Sequence, residues 1–278
     1  MSVTLVNCRL RGDVCQHVEQ ICKYFTTSQT NNKVHVKKLK GKSTGSQKWL
    51  TKQLKDPYVK RAKLENWRCR SAFKLLEIDE KHKLLKPGNI VIDCGAAPGS
   101  WCQVAAKKVN ATQSDLNRPV GTVIGVDLLQ IDPLDGVTLL SGSDFTHKDV
   151  QKSILHCLGG QKVHVVLSDM APKSSEARHL DHELSVELCA SVLRFSVGVL
   201  RHGGHLLCKL WMGPEQYKLH VALDRMFSSV KVVKPPASRM GSSEMYFLAK
   251  DFKGVPSDKL RSTSKSPTEM PSNEGGGG

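Results

Sequence analysis

The chain has 278 residues, 39% of them hydrophobic and 24% charged, which is enough for a packed core and does not indicate a wholly disordered protein. Its 41 Lys and Arg against 26 Asp and Glu give a formal net charge of +15. That charge favours a polyanionic partner, nucleic acid before an anionic membrane surface. No apolar run reaches the roughly 18 residues of a membrane span, and 5% aromatic residues argue against a single-strand binder made of many stacking platforms.

Residues 1–48 form the first predicted segment. They hold nine Lys or Arg but only two acids, Asp13 and Glu19, among many Ser, Thr and Asn. An Arg-bearing, acid-poor segment of this kind is typical of a mitochondrial transit peptide. The basic stretch 33–48 has no clear period and predicts a disordered linker. A basic arm that binds RNA directly is the alternative, and the composition leaves it open.

Residues 49–85 form a basic segment in which apolar positions recur at helical spacing, until Lys86-Pro87-Gly88 breaks the pattern. Its cations are predicted to meet RNA phosphates, with a solvated basic face as the alternative. These cations are Lys52, Lys55, Lys60, Arg61, Lys63, Arg68 and Arg70.

From Asn89 onward, short apolar runs alternate with helical stretches, which predicts a parallel sheet covered on both faces. The strands are Ile90–Asp93, Gly121–Asp127, Val137–Ser141, Val163–Asp169 and His205–Leu210. The helices are Trp101–Lys108, His147–Leu158, His182–Val199 and Pro214–Met226. Two more strands, Ser229–Lys234 and Glu244–Lys250, follow without a helix between them and predict an antiparallel addition at one edge. The tail 254–278 is predicted to be disordered.

The nine cysteines indicate a reducing compartment. Their number is odd, no C-x-x-C occurs, and Cys94, Cys189 and Cys208 lie in apolar runs, where buried free thiols are common. The sequence therefore predicts neither a disulfide framework nor a zinc site of standard spacing.

A strand that ends in Asp93 and runs into a Gly-rich turn is the strongest local signal for a ligand. In doubly wound sheets, ligands bind beyond the carboxyl ends of the strands. Gly95, Ala97 and Ser100 do not supply the G-x-G-x-x-G of a dinucleotide site, and Pro98 removes a backbone donor for a phosphate. These departures argue against an NAD-dependent oxidoreductase.

Two further acids follow the next two strands. Asp127 suits the hydroxyls of a ribose, and Asp144, with the Phe145 ring beside it, suits an exocyclic amine. Taken in chain order, these features favour an adenosine ligand without phosphates, such as S-adenosylmethionine. A helix cap at Asp127 and a turn at Asp144 are the alternatives.

Two lysines and two acids are candidates to converge near that ligand. Lys209 lies inside an apolar strand and needs a partner if it is buried, for which Asp169 is the obvious choice; a lysine that snorkels from an edge is the alternative. Glu244 opens the last strand, and Lys74 lies on the basic segment. If the lysines are close, Lys74 and burial disfavour the cationic form of Lys209, which then acts as a base or orients a hydroxyl.

These motifs resemble the FtsJ/RrmJ family of ribose 2'-O-methyltransferases over residues 49–253. The matching segments are 71–75, 93–101, 126–129, 168–172, 208–209, 236–239 and 243–246. The resemblance implies an α/β class I S-adenosylmethionine-dependent methyltransferase, Rossmann-like, with a seven-stranded, mostly parallel sheet, one antiparallel strand and helices on both faces. It implies a catalytic tetrad of Lys74, Asp169, Lys209 and Glu244. It places the cofactor contacts on Pro98, Gly99, Ser100, Trp101, Asp127, Asp144 and Asp169.

Within the family, the basic extension and segments 56–60 and 67–71 resemble a mitochondrial rRNA methyltransferase branch. This implies 2'-O-methylation of a uridine in mitochondrial large-subunit rRNA, in the matrix and on an assembling large ribosomal subunit. S-adenosylmethionine is then the methyl donor, no metal is needed, and Lys209 is the expected proton acceptor. The alternatives are a tRNA or an mRNA cap as substrate, or a non-catalytic rRNA-binding assembly factor. Neither stable membrane insertion nor an oligomer is indicated.

Overall fold

A computed structural model describes residues 53, 55–172 and 178–255. The predicted transit segment and linker, 1–48, lie outside these residues. So does the predicted disordered tail beyond Val255.

Seven strands form one sheet in the described part of the chain. They are β1 (Ile90–Cys94), β2 (Thr122–Asp127), β3 (Val137–Ser141), β4 (Val163–Ser168), β5 (Leu200–Trp211), β6 (Phe227–Val233) and β7 (Glu244–Phe252). Their order is β3-β2-β1-β4-β5-β7-β6. Every neighbouring pair among the first five strands is parallel. In contrast, β7 is antiparallel to both β5 and β6. The predicted mostly parallel sheet with one antiparallel strand is confirmed. The antiparallel strand is not the edge, however, because β7 is inserted between β5 and β6.

Helices cover both faces of this sheet. They are α1 (Pro57–Leu64), α2 (Ala72–His82), α3 (Ser100–Val109), α4 (Lys148–Leu158), α5 (Arg178–Val199) and α6 (Gln216–Met226). Val91 and Leu207 pack with residues of α2 and α3, while their chain neighbours Ile92 and Leu206 pack with residues of α4, α5 and α6. Successive strand residues point to opposite faces, so a sheet buried on both sides needs continuous apolar runs. No helix among the described residues is long and apolar enough to cross a membrane.

The basic segment 49–85 does not form one helix. The Asp56 side chain accepts a hydrogen bond from the Tyr58 amide at 3.0 Å and starts α1, with Pro57 in its first turn. Asn66 has a φ of 58°, a left-handed conformation in which a helix ends. Residues 66–71 then connect α1 to α2, with Ser71 at the N-cap position of α2. The side chains of this connection can therefore contribute to the site described below.

Candidate active site

Four carboxylates lie at the carboxyl ends of four neighbouring strands. Asp93 is the last residue but one of β1, and Asp127 is the last residue of β2. Asp144 and Asp169 follow β3 and β4 within three residues. Parallel strands bring their carboxyl ends to one edge of the sheet, which is where ligands bind in such folds. In a chain of formal charge +15, this edge is a local concentration of acid.

The two lysines and two acids predicted to converge are brought together at this edge. The Lys209 Nζ lies 3.0 Å from Asp169 Oδ1, and the Lys74 Nζ lies 2.9 Å from Glu244 Oε1 and 3.9 Å from Asp169 Oδ1. Helix α2 supplies Lys74, β5 supplies Lys209, and β7 begins at Glu244. Lys209 Nζ also donates to the backbone carbonyl of Asp169. Lys209 is therefore a paired residue of an inner strand, not a lysine that snorkels from an edge.

Asp169 is the centre of this cluster. Its Oδ2 accepts a hydrogen bond from Ser71 Oγ at 2.5 Å, and its Oδ1 accepts one from the Tyr246 hydroxyl at 2.7 Å. Burial acts to raise the pKa of Asp169, but Lys209, Lys74 and the two hydroxyl donors outweigh it and lower the pKa to about 2. Asp169 therefore remains ionised and holds the two ammonium groups.

The charges of the two lysines are not balanced in the same way. Lys74 faces the carboxylates of both Glu244 and Asp169, whereas Lys209 faces that of Asp169 and one backbone carbonyl. The sequence analysis expected Lys74 and burial to disfavour the cationic form of Lys209. In the structure Asp169 contacts both amino groups and compensates each of them, and Lys209 has the weaker carboxylate environment.

Sequence reasoning did not assign Ser71 and Tyr246 to the site. Tyr246 follows Glu244 by two positions on β7, so strand periodicity alone places both on one face. Ser71 precedes α2 at the N-cap position, but its side chain caps no amide of that helix and instead donates to Asp169. No local pattern distinguishes this hydroxyl from an ordinary helix cap.

Arg68 fixes the Gly-rich turn, and this role was not predicted. Its guanidinium donates to the carbonyls of Pro98 (2.9 Å), Asp132 (2.8 Å) and Pro133 (2.8 Å). Gly99 has a φ of 103°, and a Cβ there would lie 2.7 Å from Arg68 Nη1. The glycine thus makes room for a side chain of the protein itself, and Arg68 ties the turn to the loop that follows β2.

Asp127 and Asp144 keep the half-buried, strand-end positions expected of ligand contacts. Asp127 accepts from the Ala97 amide at 2.9 Å and from the Leu129 amide at 2.7 Å, so it also orders the Gly-rich turn. Hydrogen bonds from the Thr146 hydroxyl and amide lower the pKa of Asp144. Both oxygens of Asp127 and Oδ1 of Asp144 accept these hydrogen bonds, and each carboxylate retains oxygen lone pairs for a donor from a ligand.

Three other predicted cofactor residues have buried side chains. The Phe145 ring is only 3% exposed and packs edge-on against Phe195 at 5.2 Å, so it belongs to the core and not beside a base. The Trp101 indole donates to the Ser71 carbonyl, and its ring lies 5.8 Å from that of Tyr246. Ser100 Oγ lies 3.1 Å from Cys69 Sγ. Contacts from Trp101 and Ser100 to a ligand would come from their backbone.

Asp93 is completely buried and only partly satisfied. Its Oδ2 accepts from the Cys102 thiol at 3.1 Å, and its Oδ1 has no hydrogen-bond partner. Burial raises the pKa of Asp93 to about 7, the Cys102 thiol opposes this, and the charges of Asp169 and Asp127 add to it. The sequence marked Asp93 as a strand end but not as a titrating group at the site.

The protonation of Asp93 predicts a pH-dependent stability. Its folded pKa of about 7 exceeds the reference 3.8, so between these values the folded chain keeps a proton that the unfolded chain releases. Without added ligand, wild-type stability should therefore fall relative to Asp93→Asn by roughly 1.4 kcal/mol per pH unit across that window. Urea unfolding from pH 4 to 8 measures the difference. A difference that does not change with pH would contradict the assignment.

Three of the seven cations expected to meet RNA have partners inside the protein. Arg61 pairs with Glu65, Arg70 pairs with Asp56 at 2.9 Å, and Arg68 holds the Gly-rich turn. The remaining described cations of this set, Lys55, Lys60 and Lys63, are exposed on or beside α1. Lys52 lies outside the described residues.

Comparison with known proteins agrees with this geometry. Residues 67–252 match the family model described as FtsJ-like methyltransferase. The chain is 47% identical over 217 residues to rRNA methyltransferase 2, mitochondrial, of Drosophila melanogaster, which covers 78% of this chain and 87% of the relative. It is 43% identical over 230 residues to ribosomal RNA large subunit methyltransferase E of Cereibacter sphaeroides, covering 83% and 93%.

A solved structure has the same fold. The chain superposes with a TM-score of 0.59 and 29% identity on a Plasmodium falciparum protein described as a ribosomal RNA methyltransferase. The match covers 68% of this chain and 100% of the other.

Proposed function

The chain belongs to the FtsJ-like methyltransferase family, and on that premise we propose that it methylates the 2'-hydroxyl of a uridine ribose in mitochondrial large-subunit rRNA. The carrying observation is the cluster of Lys74, Asp169, Lys209 and Glu244 at the carboxyl edge of the sheet. The names of the Drosophila and Cereibacter relatives support rRNA as the substrate class. The acting site is the mitochondrial matrix, on the assembling large subunit.

S-adenosylmethionine is the proposed methyl donor, and the residues present fit it. When bound, it supplies an activated methyl group on a positively charged sulfur. The acidic edge formed by Asp127, Asp144 and Asp169 suits a cation and disfavours a pyrophosphate. Asp127 would accept from the ribose hydroxyls and Asp144 from the exocyclic amine, while Pro98, Gly99 and the backbone of Ser100 and Trp101 would line the donor.

Lys209 is the proposed proton acceptor. The ribose hydroxyl has to be held in line with the methyl group, and its proton has to leave as the new C–O bond forms. Lys74 contacts two carboxylates and Lys209 contacts one, so we assign the reacting hydroxyl to Lys209 Nζ, the amine with fewer acidic partners. Asp169 positions Lys209, and Glu244 positions Lys74.

The regions outside the described residues have proposed roles that follow from composition. Residues 1–48 direct the chain to mitochondria and link to the methyltransferase region, 49–253, within which 49–85 contacts RNA. The mitochondrial name of the Drosophila relative supports the import role.

The function is tested by methyl transfer from labelled S-adenosylmethionine to three RNAs. These are mitochondrial large-subunit rRNA in pre-ribosomal particles, the same rRNA free in solution, and tRNA. A single alkali-resistant linkage in the large-subunit rRNA supports the proposal, since 2'-O-methylation blocks cleavage at that nucleotide. Labelling of tRNA alone would overturn the substrate. No transfer to any RNA, with S-adenosylmethionine still bound, would indicate a non-catalytic assembly factor.

RNA binding should depend steeply on salt through the exposed lysines on and beside α1. Changing Lys55, Lys60 and Lys63 to Gln should reduce the slope of log K against log salt by about 0.7–0.9 for each lysine that contacts a phosphate. Filter binding between 50 and 200 mM salt measures this slope. The matched control, Lys148→Gln with Lys152→Gln, removes exposed charges from α4 on the other face of the sheet. Equal slopes in the two variants would show that α1 does not contact the RNA.

A further inference from the structure

Trp211 lies directly beside the lysine-carboxylate cluster. It is the last residue of β5, two positions after Lys209, so its side chain leaves the same face of the sheet. Across the antiparallel pair it stands opposite Glu244, the carboxylate that holds Lys74. Directly opposed residues have Cβ atoms only about 4.5–5.5 Å apart. The Trp211 indole therefore forms part of the rim of the site.

The indole of Trp211 is unengaged, unlike the other tryptophans that the structure describes. Trp67 donates to Glu65, and Trp101 donates to the Ser71 carbonyl and packs against Tyr246. Within residues 53, 55–172 and 178–255, the Trp211 ring is half-buried and has neither a hydrogen-bond acceptor nor a ring partner. Its face is available to a ligand of matching shape.

The backbone that carries Trp211 is held firmly. The buried His182 donates through Nδ1 to the Trp211 carbonyl at 2.8 Å and accepts at Nε2 from the Glu215 amide at 3.1 Å. The Trp211 amide donates to Ser185 Oγ at 3.3 Å. At Gly213 any Cβ would collide with the His182 ring. Because this backbone is already fixed, the Trp211 ring loses little conformational entropy when a ligand binds to its face.

Two large side chains that follow Trp211 in the chain are also exposed. Met212 is 57% exposed and Tyr217 is 72% exposed. The cluster itself is recessed, because the side chains of Lys74 and Lys209 are only 8% and 10% exposed. A ribose must therefore leave a base-paired helix to reach Lys209, and enzymes that extrude a nucleotide recover the lost stacking on aromatic or apolar side chains.

From this juxtaposition we infer that Trp211 is a stacking platform for the unpaired base of the nucleotide whose ribose is methylated. This inference rests on the proposed function and specifies how the RNA is held. Two strand residues span about 6.8 Å, so a ribose at Lys209 keeps its base within reach of Trp211. Stacking on an aromatic face tolerates any base, so Trp211 fixes the position of the nucleotide and not its identity.

The inference is tested by kinetics of three variants on pre-ribosomal large-subunit rRNA. Trp211→Ala should lower kcat/KM by about tenfold or more, which is the loss expected when one base–aromatic stacking interaction is removed. Trp211→Phe keeps an aromatic face and should stay within about threefold of wild type. Trp211→Leu keeps much of the volume without that face and should resemble Trp211→Ala. The affinity for S-adenosylmethionine should be unchanged in all three.

Two results would overturn the platform while leaving the methyltransferase function standing. One is a Trp211→Ala variant with normal kcat/KM. The other is a Trp211→Leu variant that performs as well as Trp211→Phe, which would reduce Trp211 to a packing residue. If wild type methylates no RNA, the proposed function fails. The stacking role of Trp211 is then tested separately, by the quenching of protein fluorescence when single-stranded oligouridylate is added. Stacking requires greater fluorescence quenching in wild type than in Trp211→Phe, and equal quenching excludes it.

Discussion

Lys209→Ala is expected to abolish methyl transfer while S-adenosylmethionine still binds. A positioned general base contributes about 10²–10⁴-fold to a rate, so a single-turnover assay should show a loss in that range. The substitution removes one amino group from the carboxylate of Asp169, whose contacts with Ser71 and Tyr246 do not involve Lys209. Equilibrium dialysis with labelled S-adenosylmethionine should therefore give a Kd close to that of wild type.

Lys250→Ala is the matched control for this experiment. Lys250 is a half-buried lysine of the same sheet, on β7, and donates to the His82 carbonyl at 3.4 Å, away from Asp169. It should retain near-normal turnover. Near-normal turnover of Lys209→Ala would instead remove Lys209 from the chemistry and leave Lys74 as the remaining amine of the cluster.

The parts of this site that follow from the sequence are those governed by short-range periodicity. Alternating strands and helices predict the parallel sheet, and parallel strands bring their carboxyl ends to one edge. Acidic residues that follow successive parallel strands therefore lie at the same edge of the sheet, independently of how the helices pack. The pairing of Lys209 with Asp169 follows from the need of a buried cation for a partner.

The parts that do not follow depend on tertiary contacts between distant segments. Phe145 turns into the core because Phe195 of α5 lies there, 50 positions later in the chain. Arg68 reaches three carbonyls on two loops that only the folded chain brings together. The insertion of β7 between β5 and β6 is likewise a choice between two allowed edge arrangements, and no local residue pattern selects one of them.

Asp169→Asn is expected to impair both catalysis and folding. The variant leaves Lys209 without a carboxylate and Lys74 with only Glu244. Removing one partner from a buried ion pair costs about 3–5 kcal/mol, because the other charge stays buried. Urea unfolding at pH 7 should show a loss of this order, and the methyl-transfer rate should fall with that of Lys209→Ala. Glu244→Gln, which removes a carboxylate from Lys74 alone, should leave more activity.

The stability difference between wild type and Asp169→Asn should also shrink in acid. The folded pKa of Asp169, about 2, lies below its reference value of 3.8, so the ionised carboxylate stabilises the fold above pH 3.8. That contribution is lost as the pH falls through the folded pKa, where the wild-type carboxyl becomes neutral like the amide of Asn. The two unfolding free energies should therefore draw closer by about 2 kcal/mol between pH 7 and pH 2, because one unit of pKa shift corresponds to about 1.36 kcal/mol. A difference that stays the same from pH 7 to pH 2 would show that Asp169 stabilises the fold through its shape and hydrogen bonds, and that its charge does not hold the two lysines.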